Sequence, residues 1–410
     1  MSERKTRLPR RHLLIGGAAA GTGALGAALI GNGLANSPNH LASAPGTASD
    51  TTFNGDARQP FYAKRQSGIE TPAQAHASFV ALNLNPGLRA DGVRRLLKLI
   101  SDDAAKLSQG TAALADMEAE LAEKPANLTI TFGFGPGFFQ AIGKPVPASA
   151  QPLPAFNIDR LRAEYSGGDL LLQLCCDDPI TLAHAQRMLL KDARSFSTVR
   201  WAQSGFRRAV GTEAAGTTMR NLFGQLDGTG NSPSGSAERE RIIWGDQHTA
   251  AWHPDGTSLV LRRISMDLDK WDELDRGGRE ESVGRTLATG APLTGNQEFD
   301  EPDFEAKTSL GFPVIADFSH LRRSRPDDSR QRIFRRAYNY EQLATGTGTT
   351  TSGLLFASYQ ASVAEQFTPI QKRLDELDLL NQWTTPIGSA VFAIPPGCAA
   401  GGFIGDFLFS

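Results

Sequence analysis

Cysteine is scarce: Cys175, Cys176 and Cys398 are the only three in 410 residues. No CxxC or CxxCH occurs, which excludes a cysteine-rich zinc site and a covalently attached c-type haem. The adjacent pair does not bridge to itself, and all three are expected to be buried as small apolar residues. An excess of one charge is also lacking. Lys and Arg number 42 against 44 Asp and Glu, a net charge of -2, so no basic surplus points to nucleic acid or to an anionic membrane. Gly133-Phe-Gly-Pro-Gly137 has the glycines of a phosphate loop but lacks the Gly-Lys-Ser/Thr ending, and reads as a strand-end turn.

Hydrophobic residues make up 40% of the chain, enough for a sizeable core. Residues 1–35 read as a targeting segment. Arg4, Lys5, Arg7, Arg10 and Arg11 precede an uncharged run from Leu13 to Ala35 that is rich in Gly and Ala. The flanks fit a signal peptide better than a membrane anchor, and Arg10-Arg11 suggests the twin-arginine route. The expected location is therefore exported, periplasmic or otherwise extracytoplasmic. Residues 36–66, rich in Ser, Thr, Ala, Asn, Gly and Pro, read as a flexible linker.

The rest carries a faint internal repeat. Apolar runs at Ser78–Leu84, Leu128–Phe134 and Asp169–Leu174 read as strands, with amphipathic helices at Leu88–Gln109 and Ile180–Arg194. The second half repeats this order. Strands are expected at Leu259–Leu268, Arg332–Tyr340 and Gly353–Tyr359, with helices near Trp271–Leu287 and Ser362–Leu374. Strand, helix, strand, strand, helix, twice over, suggests two tandem ferredoxin-like units. The expected fold class is α+β of the dimeric α+β barrel type, with antiparallel sheets and helices outside. The expected domains are 67–205 and 206–410.

Three stretches of the second half carry the chemistry. Asn221-Leu-Phe-Gly-Gln-Leu-Asp-Gly-Thr-Gly-Asn-Ser-Pro233 sets one acid, Asp227, among Gly224, Gly228 and Gly230. Phe318-Ser-His-Leu-Arg322 offers His320 after a hydrophobic strand, and Arg335-Arg-Ala-Tyr-Asn-Tyr340 offers arginines on a strand. Taken singly each has a plain reading: Asp227 as an Asp-Gly turn, His320 as a structural histidine, Arg335 as a surface strand arginine. Together they are a metal ligand, a proton carrier and a charge stabiliser. Arg335 and Arg336 must point to opposite faces of their strand, so only one can enter a pocket. Tyr338 and Tyr340 share a face and read either as packing residues or as surface aromatics through which bulky donors are oxidised.

These segments resemble the dye-decolorizing peroxidases. Gly224-x-x-Asp227-Gly228, with Thr229 and Asn231-Ser-Pro, looks like their GxxDG loop. His320-Leu-Arg322 with Pro326 looks like their proximal histidine segment, and Phe334-Arg-Arg-Ala-Tyr338 like their distal arginine segment. The resemblance runs from about Gly68 to Ser410. It is strongest to an exported bacterial subgroup associated with iron uptake, whose opening and closing segments resemble Gly68–His76 and Gly401–Phe409. It implies the ferredoxin-like fold and a haem-dependent peroxidase that reduces hydrogen peroxide with one-electron oxidation of aromatic or dye donors. The implied cofactor is one non-covalent haem b per chain, with His320 on the iron. Asp227 and Arg335 are the implied catalytic pair, and Gly228, Thr229, Gly230, Arg322, Arg325, Pro326, Asp327 and Arg335 are expected around the cofactor. Other implied partners are components of an iron uptake system and a second copy of the chain, as a homodimer. The alternative is a deferrochelatase-like haem- or iron-handling protein, for which Asp227 and Arg335 would not be required.

Overall fold

The computed structural model describes residues 53–343 and 350–409; the expected signal segment lies outside them. The strands and helices follow in the order β1 (His76–Leu84), α1 (Ala90–Leu107), β2 (Thr129–Phe134), α2 (Pro136–Ala141), β3 (Leu170–Cys176), α3 (Pro179–Ala193) and β4 (Ser197–Phe206). Then come α4 (Ala237–Trp244), β5 (Thr257–Met266), α5 (Leu268–Asp272), α6 (Arg276–Val283), α7 (His320–Ser324), β6 (Phe334–Arg335), β7 (Tyr338–Leu343), β8 (Thr350–Gln360), α8 (Thr368–Leu377) and β9 (Thr384–Ile394).

Each half has the ferredoxin-like strand order. The first runs β2-β3-β1-β4 and the second β7-β8-β5-β9, all antiparallel. β2 meets β9 through Phe134 and Ala393, and β4 meets β7 through Phe206 and Asn339. With β5 also paired to β8 the sheet closes on itself, leaving no open edge in the ring. β6 and β7 lie on the same edge of β8 in one register.

Strand alternation divides the core. In β1, Val80 and Leu82 join the cluster under α1 and α3, whereas Ala77, Phe79 and Ala81 point into the barrel with Leu259, Leu261, Tyr338 and Tyr359. Each such Val, Leu or Phe contributes about 1.5–3 kcal/mol by leaving water. The three cysteines are free and buried, as expected.

Several expectations need correction. Each half ends in a further strand, β4 and β9, that hydrophobic patterning does not reveal. The buried positions of β4 are Ser197, Trp201, Gln203 and Gly205, mostly small or polar residues. β9 contains Pro386 and Gly388, ordinarily strand breakers, placed at a register shift opposite Arg263 and Ile264. The helix expected over Trp271–Leu287 is two short ones, the second ended by Gly284 at φ +85°. The helix expected from Ser362 begins as a wider π turn over Val363–Phe367 before α8. His76 opens β1. The described part of the expected linker packs on the body: Phe61 joins the first core, and Gln66 bonds both Phe132 and Pro395. No helix among the described residues is long and apolar enough to cross a membrane.

Candidate active site

The Asn221–Pro233 loop is shaped by its glycines and by one asparagine. Gly224 and Gly228 adopt φ of +79° and +130°, conformations that side chains other than hydrogen rarely take. The Asn221 side-chain oxygen accepts from the Phe223 and Gln225 amides, closing the turn. Arg220 bonds the carbonyls of Gly224, Leu287 and Ala288, which anchors the loop to the segment after α6. Further along, the Asn231 amide reads the backbone of Arg335 on both sides. It donates to the Arg335 carbonyl at 2.7 Å and accepts from the Arg335 N–H at 2.8 Å. This clamp fixes the loop against β6 and sets the Arg335 guanidinium 2.9 Å from Asp227 Oδ1. The ion pair is partly sheltered, with side-chain exposures of 24% for Arg335 and 8% for Asp227. Arg336 turns the other way, as strand geometry requires. It is buried and bonds Thr71 O and Gln74 Oε1.

His320 does not follow a strand as expected; it is the first residue of α7, behind the N-cap Ser319. Its Nδ1 lies 2.6 Å from Asp378 Oδ2. Asp378 sits just past α8, its other oxygen accepting from Leu380 N at 3.0 Å, while Leu379 N donates to Phe318 O at 2.9 Å. Both ends of the His–Asp pair are therefore fixed by backbone bonds. Burial disfavours the imidazolium, but the charge and hydrogen bond of Asp378 outweigh it, so the His320 pKa is raised. With Nδ1 committed to a carboxylate, Nε2 is the ring nitrogen left to ligate, and the carboxylate makes it a stronger base.

Asp227, Arg335 and His320 line one cavity of about 430 Å³. Thr229, Gly230, Arg325 and Pro326 also line it; Gly228, Arg322 and Asp327 are not among its lining residues. Arg322 is engaged elsewhere, bonding Phe304 O at 2.7 Å and Asp317 at 3.1 Å. Apolar walls come from Val283, Leu321, Ile333, Phe356, Ile370 and Leu380. Glu298 reaches the same cavity, its Oε1 accepting from the Thr218 and Thr229 hydroxyls at 2.6 and 2.8 Å.

Asp378, Arg285 and Glu298 were not visible in the sequence as site residues. Asp378 is 58 residues beyond His320, and no spacing rule links them. Asn231 was within the recognised motif but carried no assigned role. Away from the cavity, Asp116, Glu118 and His184 bring ligand-type atoms within 4.8 Å of one another. Arg187 bonds Glu118 and approaches His184 Nδ1 to 3.3 Å, so a cation already occupies that cluster. Of the two readings of Tyr338 and Tyr340, the structure matches packing residues: they are buried in the barrel at 0% and 2% exposure.

Comparison with known proteins bears on both halves. Residues 66–207 match the family model of the Dyp-type peroxidase N-terminal domain, and residues 218–399 that of the C-terminal domain. A dye-decolorizing peroxidase of Thermobifida fusca is 36% identical over 358 residues, covering 84% of this chain and 83% of that protein. A deferrochelatase of Escherichia coli K12 is 34% identical over 375 residues, covering 87% of each. Among solved structures, a DyP-type peroxidase from Cellulomonas bogoriensis is 48% identical with a TM-score of 0.84, covering 88% of this chain and 100% of that one. Ferric DtpA from Streptomyces lividans is 37% identical with a TM-score of 0.83, covering 88% and 100%. With both halves matched and relatives 34% and 48% identical over most of their length, the chain belongs to the Dyp-type peroxidase family.

Proposed function

We propose that the cavity holds one non-covalent haem b per chain, ligated by His320 Nε2, and that Asp227 and Arg335 act on hydrogen peroxide there. The observation that carries this reading is the composition of one cavity wall set: a histidine tied at 2.6 Å to a buried carboxylate, and an acid–arginine pair at 2.9 Å. The apolar walls suit the faces of a macrocycle. All three cysteines are packed in the two cores instead of lining the cavity, which supports a non-covalent cofactor. When bound, haem supplies the iron that passes electrons from the reducing substrate to peroxide.

The chain's own residues then have separate tasks. Asp227 accepts a proton from peroxide and returns it to the oxygen that leaves as water. Arg335, held by the Asn231 clamp, offsets the negative charge that grows on that oxygen. His320 is oriented by Asp378, which also fixes its tautomer. Peroxide takes up two electrons and two protons to give two waters, and two aromatic donors each lose one electron.

The deferrochelatase-named relatives support a second reading, in which the chain serves iron uptake with peroxidation subordinate. We further read 1–35 as a twin-arginine signal peptide delivering a periplasmic protein, 67–205 and 206–410 as its two domains, and the assembly as a homodimer.

Purified protein reconstituted with haemin tests the cofactor and its ligand. Wild type should bind haem and change its absorption spectrum with one equivalent of peroxide, and His320→Ala should lose most of its haem. Wild-type haem content and spectrum in His320→Ala would overturn the ligand assignment.

A further inference from the structure

The arginines that line the cavity differ in one respect. Arg335 pairs with Asp227 at 2.9 Å, Arg332 with Glu238 at 3.0 Å, and Arg325 with Glu301. Arg285 has no carboxylate partner among the described residues. Its Nη1 donates to the carbonyls of Gly290 and Glu298 at 2.6 and 2.8 Å, leaving Nε and Nη2 unbonded. The acid that could serve it, Glu298, turns its carboxylate to Thr218 and Thr229. Burial lowers the Arg285 pKa, and the charges of Arg335 and Arg325 act in the same direction against the nearby carboxylates of Glu298 and Glu301.

The fold holds this guanidinium beside the His320 helix. Gly284 ends α6 in the left-handed region, and a Cβ there would lie 3.1 Å from Leu321 Cβ and 3.2 Å from Ser319 Oγ. The end of α6 thus sits against the start of α7, and Arg285 is the next residue. An isolated β-bridge to Pro292 fixes its backbone. A half-buried, rigidly mounted, unpaired guanidinium facing a ligand cavity is suited to a carboxylate, which can accept two parallel bonds from it.

We infer that Arg285 is the carboxylate-binding residue of the cavity and that it takes a propionate of the haem, in preference to Arg322, which is engaged elsewhere. This rests on the haem reading above. Arg325 and Arg332 are each paired with a carboxylate, so Arg285 is the cavity arginine left with free donors for a propionate, Glu298 being turned to Thr218 and Thr229.

The test compares haemin with haemin dimethyl ester, whose esters carry no charge, as titrants of the apoprotein. Wild type should bind haemin more tightly than the ester. Arg285→Met should weaken haemin about 10–100-fold, the span of one charge-assisted hydrogen-bonded contact, while leaving the ester's affinity unchanged. Arg285→Lys should restore part of the haemin preference. Equal loss for both titrants, or loss for neither, would overturn the inference, as would equal binding of the two by wild type, a comparison that needs no variant to fold. Failure of wild type to bind either titrant would instead overturn the haem reading and the inference with it.

Discussion

Replacing Asp192 by Asn should make the protein more stable at pH 8 and remove a pH dependence that the wild type shows. Asp103 on α1 and Asp192 on α3 bring their carboxyls together where the two helices pack. Asp103 is fully buried; its Oδ1 accepts from Leu114 N at 2.8 Å and lies 3.8 Å from Lys106 Nζ. The Oδ2 atoms of both residues have no donor from the rest of the protein. A single proton between the carboxyls satisfies both. Burial, and then the hydrogen bond and charge of Asp103, push the Asp192 pKa up to about 7. The folded state therefore holds that proton more tightly than the unfolded chain, where an Asp ionises at about pH 3.9. Stability is full below about pH 4, falls as pH rises towards about 7, and levels off above it. That difference in pKa corresponds to about 4 kcal/mol at most, but Asp192 is only partly buried and solvent screening reduces this to about 1–2 kcal/mol. Asparagine supplies a permanent N–H donor to Asp103. Thermal unfolding of the apoprotein between pH 5 and 8 should show wild type losing about 1–3 °C more than Asp192→Asn. Identical pH slopes for the two proteins would refute the shared proton.

Other expectations follow from single contacts. Asp378→Asn keeps the cap on Leu380 but removes the charge behind His320, so the raised His320 pKa should fall and haemin affinity should drop about 10–100-fold in competition with another haem protein; unchanged affinity would contradict the role of the 2.6 Å bond. Gly353→Ala should destabilise the protein by about 1–3 kcal/mol or more in urea, because its Cβ would come 2.0 Å from Ile264 O and 2.6 Å from the Tyr340 hydroxyl; wild-type stability would show that the β5–β8 pairing gives way easily.

The extent to which the sequence revealed this molecule follows from the range of each interaction. Alternation in β1 and the apolar run of β3 are local, and both strands lie where patterning puts them. β4 and β9 escape because the buried positions of the first are mostly small or polar, Ser197, Gln203 and Gly205 beside Trp201, and the second is interrupted by Pro386 and Gly388. Alternation also says that Tyr338 and Tyr340 share a face, but not which face, and closure of the barrel turned that face inward. At the site, Asp227 and Arg335 were legible because loop and strand each carry a recognisable segment. The bond between them, the Asn231 clamp and the Asp378 support cross 108, 104 and 58 positions respectively. Such pairings are decided by how the elements dock. Arg285 is near Gly284 in sequence, yet its significance appears only once every other cavity arginine is seen to have a partner.

The handling of the peroxide proton by Asp227 is the step on which the proposed function turns. Holoprotein carrying Asp227→Asn, matched to wild type in haem content, should be mixed with hydrogen peroxide in a stopped-flow spectrometer. Asparagine preserves the shape beside Arg335 but cannot accept the proton. The first spectral change should therefore be slower than in wild type by about 10²–10⁴-fold, with Arg335→Leu also slowed through the loss of charge stabilisation. Wild-type rates in both variants would contradict the assignment of these residues as catalytic and leave haem or iron handling as the better account.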